Sequence, residues 1–107
     1  MAQQIQALST EEVKTKLQKL PNWRLKDGRL YRELKFASFV EAFGFLSSLA
    51  LVAERMNHHP EIFNVYSTVN LSLWTHDANG ITKLDFELAE AADKLSVSSR
   101  SERLRSP

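Results

Sequence analysis

The sequence contains no cysteine among its 107 residues. This absence excludes disulfide bonds, catalysis by a cysteine thiolate and zinc sites with cysteine ligands. Glycine and proline occur only three times each, which is too few for a collagen-like or low-complexity chain. No apolar run approaches the ~20 residues that a membrane-spanning helix needs, and the first residues lack the pattern of a signal peptide. We therefore expect a soluble, cytoplasmic protein.

Neither sign of charge dominates the chain. The 14 Lys and Arg residues are balanced by 13 Asp and Glu residues, which leaves a formal net charge of +1 at pH 7. This balance gives no electrostatic reason to expect nucleic acid or an anionic membrane surface as a partner. Hydrophobic residues make up 43% of the sequence, which is enough for a single domain of this length to fold around a core.

A capping signal and a turn signal organise the first third of the chain. Ser9 and Glu12 have the spacing of a capping box, which predicts a helix over residues 9–20. The Asp27-Gly28 pair lies between two segments of alternating polarity and predicts a tight β-hairpin. The apolar residues that share one side of its second strand, and that we expect in the core, are Leu30, Leu34 and Phe36.

The central segment is strongly apolar. Ser38 precedes it and predicts a helix over residues 39–57. Its apolar positions are Phe39, Phe43, Leu46, Ala50 and Ala53, with Val40, Leu49, Val52 and Met56 beside them. So wide an apolar surface exceeds what one sheet face needs. We expect part of this helix to pack on another subunit, and a fully buried central helix is the alternative.

Residues 62–76 are rich in β-branched and aromatic side chains, which predicts strand structure. One continuous strand would place the odd-numbered apolar residues, from Phe63 to Leu73, on one face. A hairpin with Ser67-Thr68 as its turn would break that division unless a bulge restored the register. Periodicity alone leaves both possibilities open.

A last helix follows the Asn79-Gly80 turn. Thr82 and Asp85 have the spacing of an N-terminal cap. The predicted buried stripe of this helix is Leu84, Leu88, Ala91 and Leu95. From Ser96 onward the chain is rich in Ser and Arg without apolar periodicity. We expect one domain over residues 1–95 and a mobile tail over residues 96–107.

The three histidines, His58, His59 and His76, lie at the ends of predicted elements, where a scaffold usually presents reactive groups. Imidazole can donate and accept protons near neutral pH. Glu54 lies four residues before His58, so its carboxylate could orient that ring if the helix persists. Together with the negative end of the helix, this carboxylate would favour a protonated His58 that acts as a general acid.

Simpler interpretations compete for the same histidines. His58 and His59 before Pro60 can be a polar helix stop, and His76 beside Asp77 can be an exposed strand end. Three histidines could also hold zinc, but the sequence has no HxH or HxxxH pair, and adjacent residues at a helix exit point in different directions. We therefore expect no metal site.

The most specific pattern combines these residues. E-x-x-x-H-H-P at residues 54–60 is followed by N-V-Y at 64–66, T-H at 75–76 and G-I-T at 80–82. With Trp23 and the Asp-Gly hairpin, this arrangement resembles the signature of the pterin-4a-carbinolamine dehydratases. The likeness extends over nearly the whole chain before the Ser- and Arg-rich tail.

The resemblance implies an α+β fold of order α-β-β-α-β-β-α, with helices packed on one face of a four-stranded antiparallel sheet. It implies a dehydratase that removes water from a 4a-hydroxytetrahydropterin to give a quinonoid dihydropterin, in tetrahydrobiopterin recycling after aromatic amino-acid hydroxylation. It also implies a homodimer or homotetramer, in keeping with the wide apolar surface of the central helix.

The family's catalytic histidines fall on His58, His59 and His76. We expect His58 and His76 to donate protons to the leaving hydroxyl, and His59 to bind the pterin or act as a second acid or base. Glu54 would orient His58. Imidazoles beside a flat heterocycle can do this chemistry with neither metal nor cofactor, and each positioned acid or base is typically worth roughly 10²–10⁴ in rate.

Four further residues complete the expected site. Pro60 and Thr75 would set the geometry of the neighbouring rings. Asp85 is expected to cap the last helix rather than to contact the pterin directly. Trp74 stands where many relatives carry a small residue, so it could form a wall of the pterin pocket or narrow it.

Some members of this family also act as dimerisation cofactors of a homeodomain transcription factor. The amphipathic central helix would serve that role equally well, although nothing in the sequence shows such a partner. A non-catalytic interaction module is therefore the alternative function, and the nucleus is then an additional compartment.

Overall fold

The computed structural model describes residues 5–104 of the chain, and side chains as far as residue 97. Within these residues, three helices and four strands follow one another in the predicted order. They are α1 (Thr10–Leu17), β1 (Arg24–Lys26), β2 (Arg29–Lys35), α2 (Phe39–Met56), β3 (Glu61–Val65), β4 (Thr68–Leu73) and α3 (Lys83–Leu104). All strand pairs are antiparallel, in the order β1-β2-β4-β3. The predicted α+β fold is confirmed.

Local signals in the first half of the chain act as predicted. Ser9 and Glu12 exchange side-chain and backbone hydrogen bonds in a complete capping box at the start of α1. Asp27 and Gly28 both have positive φ angles, 54° and 76°, as a type I′ hairpin turn requires. The residues predicted for the core side of β2 are all buried: Leu30, Leu34 and Phe36.

The second hairpin joins β3 to β4 through two loop residues, Tyr66 and Ser67. This turn lies one residue earlier than the one considered from the sequence, and Tyr66 adopts a left-handed φ of 52° to make it. Because this loop has two residues, each odd-numbered residue of β3 pairs with an even-numbered residue of β4. Phe63 and Val65 therefore lie on the face opposite to the buried side chains of β4, and both are exposed. The single continuous strand is not formed.

Helix α2 begins at its predicted cap, Ser38, whose hydroxyl accepts a hydrogen bond from the backbone N–H of Glu41. Its buried residues are Ala42, Phe45, Leu46, Leu49 and Ala53. The opposite side of the helix carries four exposed apolar side chains, Phe39, Val40, Phe43 and Leu51, which we call the α2 apolar face. No part of the chain within residues 5–97 buries this face, so a fully buried central helix is excluded for the single chain.

Helix α3 buries a different stripe from the predicted one. Leu88 is buried as expected, whereas Leu84, Ala91 and Leu95 are only partly buried. The buried positions are Asp85, Phe86, Leu88, Ala89, Ala92 and Ser96. The helix is rotated because α2 packs directly against it, and the small side chains of Ala89 and Ala92 permit a close approach.

Helix α3 also continues beyond the boundary predicted at residue 95. Ser96 is buried, its hydroxyl donates to the Asp93 carbonyl at 2.9 Å, and helical structure extends to Leu104. The segment lacks Gly and Pro before residue 107, so no strong stop signal ends the helix earlier. Residues 105–107 of the predicted tail lie outside the described residues, and the mobility of the tail stays a prediction.

An ion pair connects α3 to the sheet. Asp93 accepts a hydrogen bond from Trp23 Nε1 at 2.8 Å and pairs with the guanidinium of Arg32, which projects from β2 into the interior. Because both donors converge on one carboxylate, they hold the middle of α3 over β2.

None of the helices within residues 5–104 combines the length and the apolar character needed to cross a membrane.

Candidate active site

The end of α2 presents His58. Asn57 takes the left-handed conformation, and the backbone N–H groups of Asn57 and His58 donate to the carbonyls of Glu54 and Ala53 at 3.1 and 3.0 Å. These two bonds form a Schellman motif, which ends the helix and turns the chain. The side chain of His58 is consequently 10% exposed and points towards the start of α3.

Asp85 is the partner of His58. His58 Nε2 lies 2.6 Å from Asp85 Oδ1, and the carboxyl group is completely buried. Its other oxygen accepts hydrogen bonds from the Thr75 hydroxyl at 2.8 Å and from the Thr82 backbone N–H at 2.9 Å. The hydroxyls of Thr75 and Thr82 are themselves 2.7 Å apart. Asp85 therefore caps α3 as predicted and also joins α2, the end of β4 and α3 in one buried network.

This network determines what His58 can do. An ionised Asp85 only accepts hydrogen bonds, so Nε2 of His58 must carry the proton between them. The other ring nitrogen, Nδ1, is then free to accept a proton in the neutral ring and to donate one in the imidazolium ion. A buried carboxylate that fixes the tautomer and orientation of an imidazole is a common arrangement for general acid and base catalysis.

Glu54 does not contact His58 as the sequence spacing predicted. Its Oε1 lies 3.0 Å from Nε2 of His59, and both side chains are largely exposed. The prediction was wrong because it assumed that the helix continues to residue 58. The left-handed Asn57 interrupts the helical spacing, so His58 turns to Asp85 and His59 takes the position beside Glu54.

A cavity of about 440 Å³ opens beside His58. The residues that line it are Ile5, Gln6, Asn57, His58, Thr75, Asp77 and Leu84. The N-terminal segment forms one wall and is held there by a hydrogen bond from the Leu8 N–H to the Ile81 carbonyl at 2.8 Å. A second cavity, of about 410 Å³ between α1 and α3, contains none of the predicted site residues, so we place the candidate site at His58.

The structure brings His58 and Thr75 together through Asp85, although 16 residues, which include the β3–β4 hairpin, lie between them in the chain. His76 follows Thr75 and begins a short 3₁₀ turn (His76–Ala78), which a β-bridge between Thr75 and Gly80 closes. His59 and His76 are both exposed. They adjoin residues that line the cavity but do not line it themselves.

Trp74 and Pro60 lie at the margins of this region. The Trp74 ring is half-buried and meets the His76 ring edge to face, with centroids 5.1 Å apart and planes at 85°. Trp74 therefore neighbours His76 rather than lining the cavity. Pro60 is partly buried and directly precedes β3.

Within the described part of the chain, no three His, Asp or Glu side chains are grouped as metal ligands would be.

Sequence reasoning did not find several residues of this region. Thr82 was assigned only a capping role, and Asp77, Ile5 and Gln6 were not assigned to the site at all. The cap spacing of Thr82 and Asp85 predicted a carboxylate at the start of α3, and the structure adds that this carboxylate is buried. Nothing in the local sequence showed that His58 would be its partner.

Comparison with known proteins shows the family to which this chain belongs. The sequence model described as pterin 4 alpha carbinolamine dehydratase matches residues 6–95. The chain belongs to this family. A relative from Prochlorococcus marinus strain MIT 9313, which carries a provisional name as a pterin-4-alpha-carbinolamine dehydratase, is 52% identical over 88 residues, covering 82% of this chain and 92% of the relative. A relative from Burkholderia vietnamiensis strain G4 with the same provisional name is 50% identical over 93 residues, covering 85% of this chain and 91% of the relative.

Two solved structures of pterin dehydratase-like proteins share the fold. A protein from Brucella melitensis, described as a transcriptional coactivator/pterin dehydratase, superposes with a TM-score of 0.81 at 40% identity, covering 84% of this chain and 98% of its own. A pterin dehydratase-like protein identified as a RuBisCO assembly factor in the alpha-carboxysome gives a TM-score of 0.57 at 25% identity, covering 69% and 86%. Proteins with this fold are thus described as a transcriptional coactivator and as a RuBisCO assembly factor, in addition to their description as pterin dehydratases or dehydratase-like proteins.

Proposed function

We propose that this protein dehydrates a 4a-hydroxytetrahydropterin to a quinonoid dihydropterin by general acid and base catalysis, with His58, His59 and His76 as the proton-transfer groups. The observation that carries the proposal is the His58–Asp85 pair, a partly buried imidazole oriented by a fully buried carboxylate beside a cavity. Membership of the family supports the substrate class.

The reaction needs two proton transfers. An imidazolium donates a proton to the 4a hydroxyl, the carbon–oxygen bond breaks, and water leaves. The adjacent ring nitrogen gives up its proton to a neutral imidazole as the carbon–nitrogen double bond forms. The proton count is restored when the two histidines exchange protons with solvent, so the residues present can complete the cycle.

The dimensions of the candidate site suit this substrate class. Small-molecule sites usually enclose about 300–1,000 Å³, and the cavity beside His58 is about 440 Å³. Its lining combines apolar side chains of Ile5 and Leu84 with polar groups of Gln6, Thr75 and Asp77. A flat, polar bicyclic ring needs such a mixture, because its faces pack against apolar groups and its edges form hydrogen bonds.

Replacement of His58 by Gln tests the proposal. We expect the variant to fold normally and to lose at least 10²-fold in kcat/KM for a 4a-hydroxytetrahydropterin, because it lacks a positioned acid or base. Glu87→Gln, on the exposed side of α3, is the matched control. Activity of His58→Gln within twofold of the control would contradict the proposed chemistry, and the same measurement on His59→Gln and His76→Gln assigns the individual roles.

A second candidate function uses the α2 apolar face. Val40 and Leu51 on this face are 80% and 71% exposed, and exposed apolar patches commonly mark protein interfaces. We propose that the face mediates self-association into a homodimer or homotetramer, in which case it also offers a surface for a transcription-factor partner. The coactivator description of the Brucella melitensis structure supports the second possibility.

Disruption of the α2 apolar face separates the two functions. Phe43→Asp places a charge in the middle of the face and should convert an oligomer into monomers in sedimentation velocity experiments. An unchanged sedimentation coefficient would show that the face is not the interface. His76→Ala should keep the assembly and lose dehydration if the protein is an enzyme, whereas a purely structural role predicts that the assembly survives and that the unmodified protein has no dehydration activity to lose.

A further inference from the structure

Arg29 and Trp74 form a pair on the outer face of the sheet, the face that the helices leave uncovered. Leu30 and Leu73 are register partners on β2 and β4 and are both buried on the inner face. Arg29 is the first residue of β2 and Trp74 directly follows the last residue of β4, so their side chains project to the face opposite to that of Leu30 and Leu73, the outer face. The Arg29 guanidinium carbon lies 4.7 Å from the centroid of the Trp74 ring, which is a cation–π contact.

Glu61 also contacts this guanidinium. Glu61 Oε1, at the start of β3, lies 3.3 Å from Arg29 Nε. The Nε atom is buried, and the contact is an ion pair without hydrogen-bond geometry. The side chain of Arg29 is 31% exposed. Its position is therefore set by an indole face and by a carboxylate of the edge strand together.

Trp74 in turn contacts His76 edge to face, at 5.1 Å between centroids. The intervening Thr75 points to the inner side, where its hydroxyl donates to Asp85. Thr75 thus anchors the backbone while the indole restricts the ring of His76. Without such a neighbour, an exposed imidazole would rotate freely about its side-chain bonds.

We propose that Arg29 is a positioning residue for His76, acting through the indole of Trp74, with Glu61 fixing the guanidinium. The inference rests on the proposed function, in which His76 transfers a proton. The cation over one face of Trp74 restricts the tilt of the indole, and the indole restricts the imidazole. Arg29 does not itself touch the reacting atoms.

The first test measures the ring of His76 directly, without substrate. A nearby indole displaces the imidazole ¹³C–¹H resonances of His76 through its ring current. We expect Trp74→Leu to move these resonances to the positions of an unrestrained histidine, and Arg29→Met to move them in the same direction. Trp74→Phe and Arg29→Lys, which retain a ring and a cation, should restore part of the displacement.

The second test is kinetic. In Arg29→Met, loss of the contact that orients Trp74 should lower kcat about threefold to tenfold, the range expected for one aromatic contact. The KM of this variant should stay within twofold of that of the unmodified protein, because Arg29 does not bind the substrate. Arg24→Met is the matched control. Its guanidinium lies over the ring of Tyr31, 5.2 Å from the centroid, on the same face of the sheet, so it reports the effect of losing a cation–π contact away from His76.

The proposal is overturned if the His76 resonances and kcat in Arg29→Met match those of Arg24→Met. It is supported if the resonances move and kcat falls while far-ultraviolet circular dichroism stays unchanged. Failure of the proposed function is seen separately: full activity of His76→Gln would remove His76 from the mechanism, whereas the resonance measurement still decides whether Arg29 holds the ring.

Discussion

Replacement of Asp85 by Asn is the most informative single change, because it keeps the shape of the buried network and alters its protons. The carboxylate accepts hydrogen bonds from Thr75, from the Thr82 backbone N–H and from His58. An Asn oxygen can still accept from Thr82 and Thr75. The Asn NH₂ group must then face His58 and donate to Nε2, which moves the ring proton to Nδ1. Nδ1, the ring nitrogen that is not bonded to residue 85, then carries the proton and can no longer accept one in the neutral ring.

Two magnitudes follow from the geometry. A hydrogen bond to a charged group contributes about 1.5–3 kcal/mol to stability, and Asp85 is completely buried, so we expect the free energy of unfolding to fall by about 2 kcal/mol. A wrongly protonated acid or base loses roughly 10²–10⁴ in rate. We therefore expect kcat/KM to fall at least 10²-fold in a protein that remains folded.

The assay combines urea unfolding with dehydration rates measured below the unfolding transition. Thr75→Val is the matched comparison, because it removes one donor to Asp85 and leaves the His58 contact in place. We expect it to lower stability by about 1–2 kcal/mol with a smaller loss of rate than Asp85→Asn. The reasoning is refuted if Asp85→Asn keeps its rate within twofold of the unmodified protein, or if both variants lose rate equally.

Three further predictions concern the surroundings of the site. Glu54→Gln should lower kcat/KM less than tenfold, since its partner His59 is exposed and their ion pair is screened by solvent. Gly80→Ala places a methyl group 3.0 Å from the Cβ atom of Ala7, so it should displace the N-terminal wall of the cavity and raise KM more than it lowers kcat. Asp93→Ala should lower the free energy of unfolding by about 3–5 kcal/mol, because it leaves the buried Arg32 cation without its carboxylate.

Each of these outcomes has its own control. A loss of rate in Glu54→Gln as large as that of His58→Gln would contradict this expectation and show that the exposed Glu54–His59 pair matters as much for catalysis as His58. Gly44→Ala, where an added Cβ atom meets no atom within 4 Å, separates a general effect of replacing glycine from the displacement near Ala7. An Asp93→Ala variant with unchanged urea midpoint would mean that the contacts with Trp23 and Arg32 do not hold α3 on the sheet.

Much of the fold could be predicted from local sequence, because caps and turns depend on near neighbours. The capping box at Ser9, the type I′ turn at Asp27-Gly28 and the cap at Ser38 all form as expected. The exact turn between β3 and β4 was not predictable, since Tyr66 has no special preference for a positive φ. The end of α3 was predicted too early, because a segment without apolar periodicity can stay helical when it contains no Gly or Pro to end the helix.

The sequence by itself also indicated the candidate site residues, which are three histidines at element ends and two carboxylates, Glu54 and Asp85, near them in the chain or at a helix cap. It could not decide which carboxylate serves which histidine. That pairing depends on a left-handed residue at position 57 and on the packing of α3 against α2, which bring Asp85 to His58 and leave Glu54 to His59. Only the tertiary structure decided it, because residues 27 positions apart in the chain meet only when the helices and the sheet are packed together.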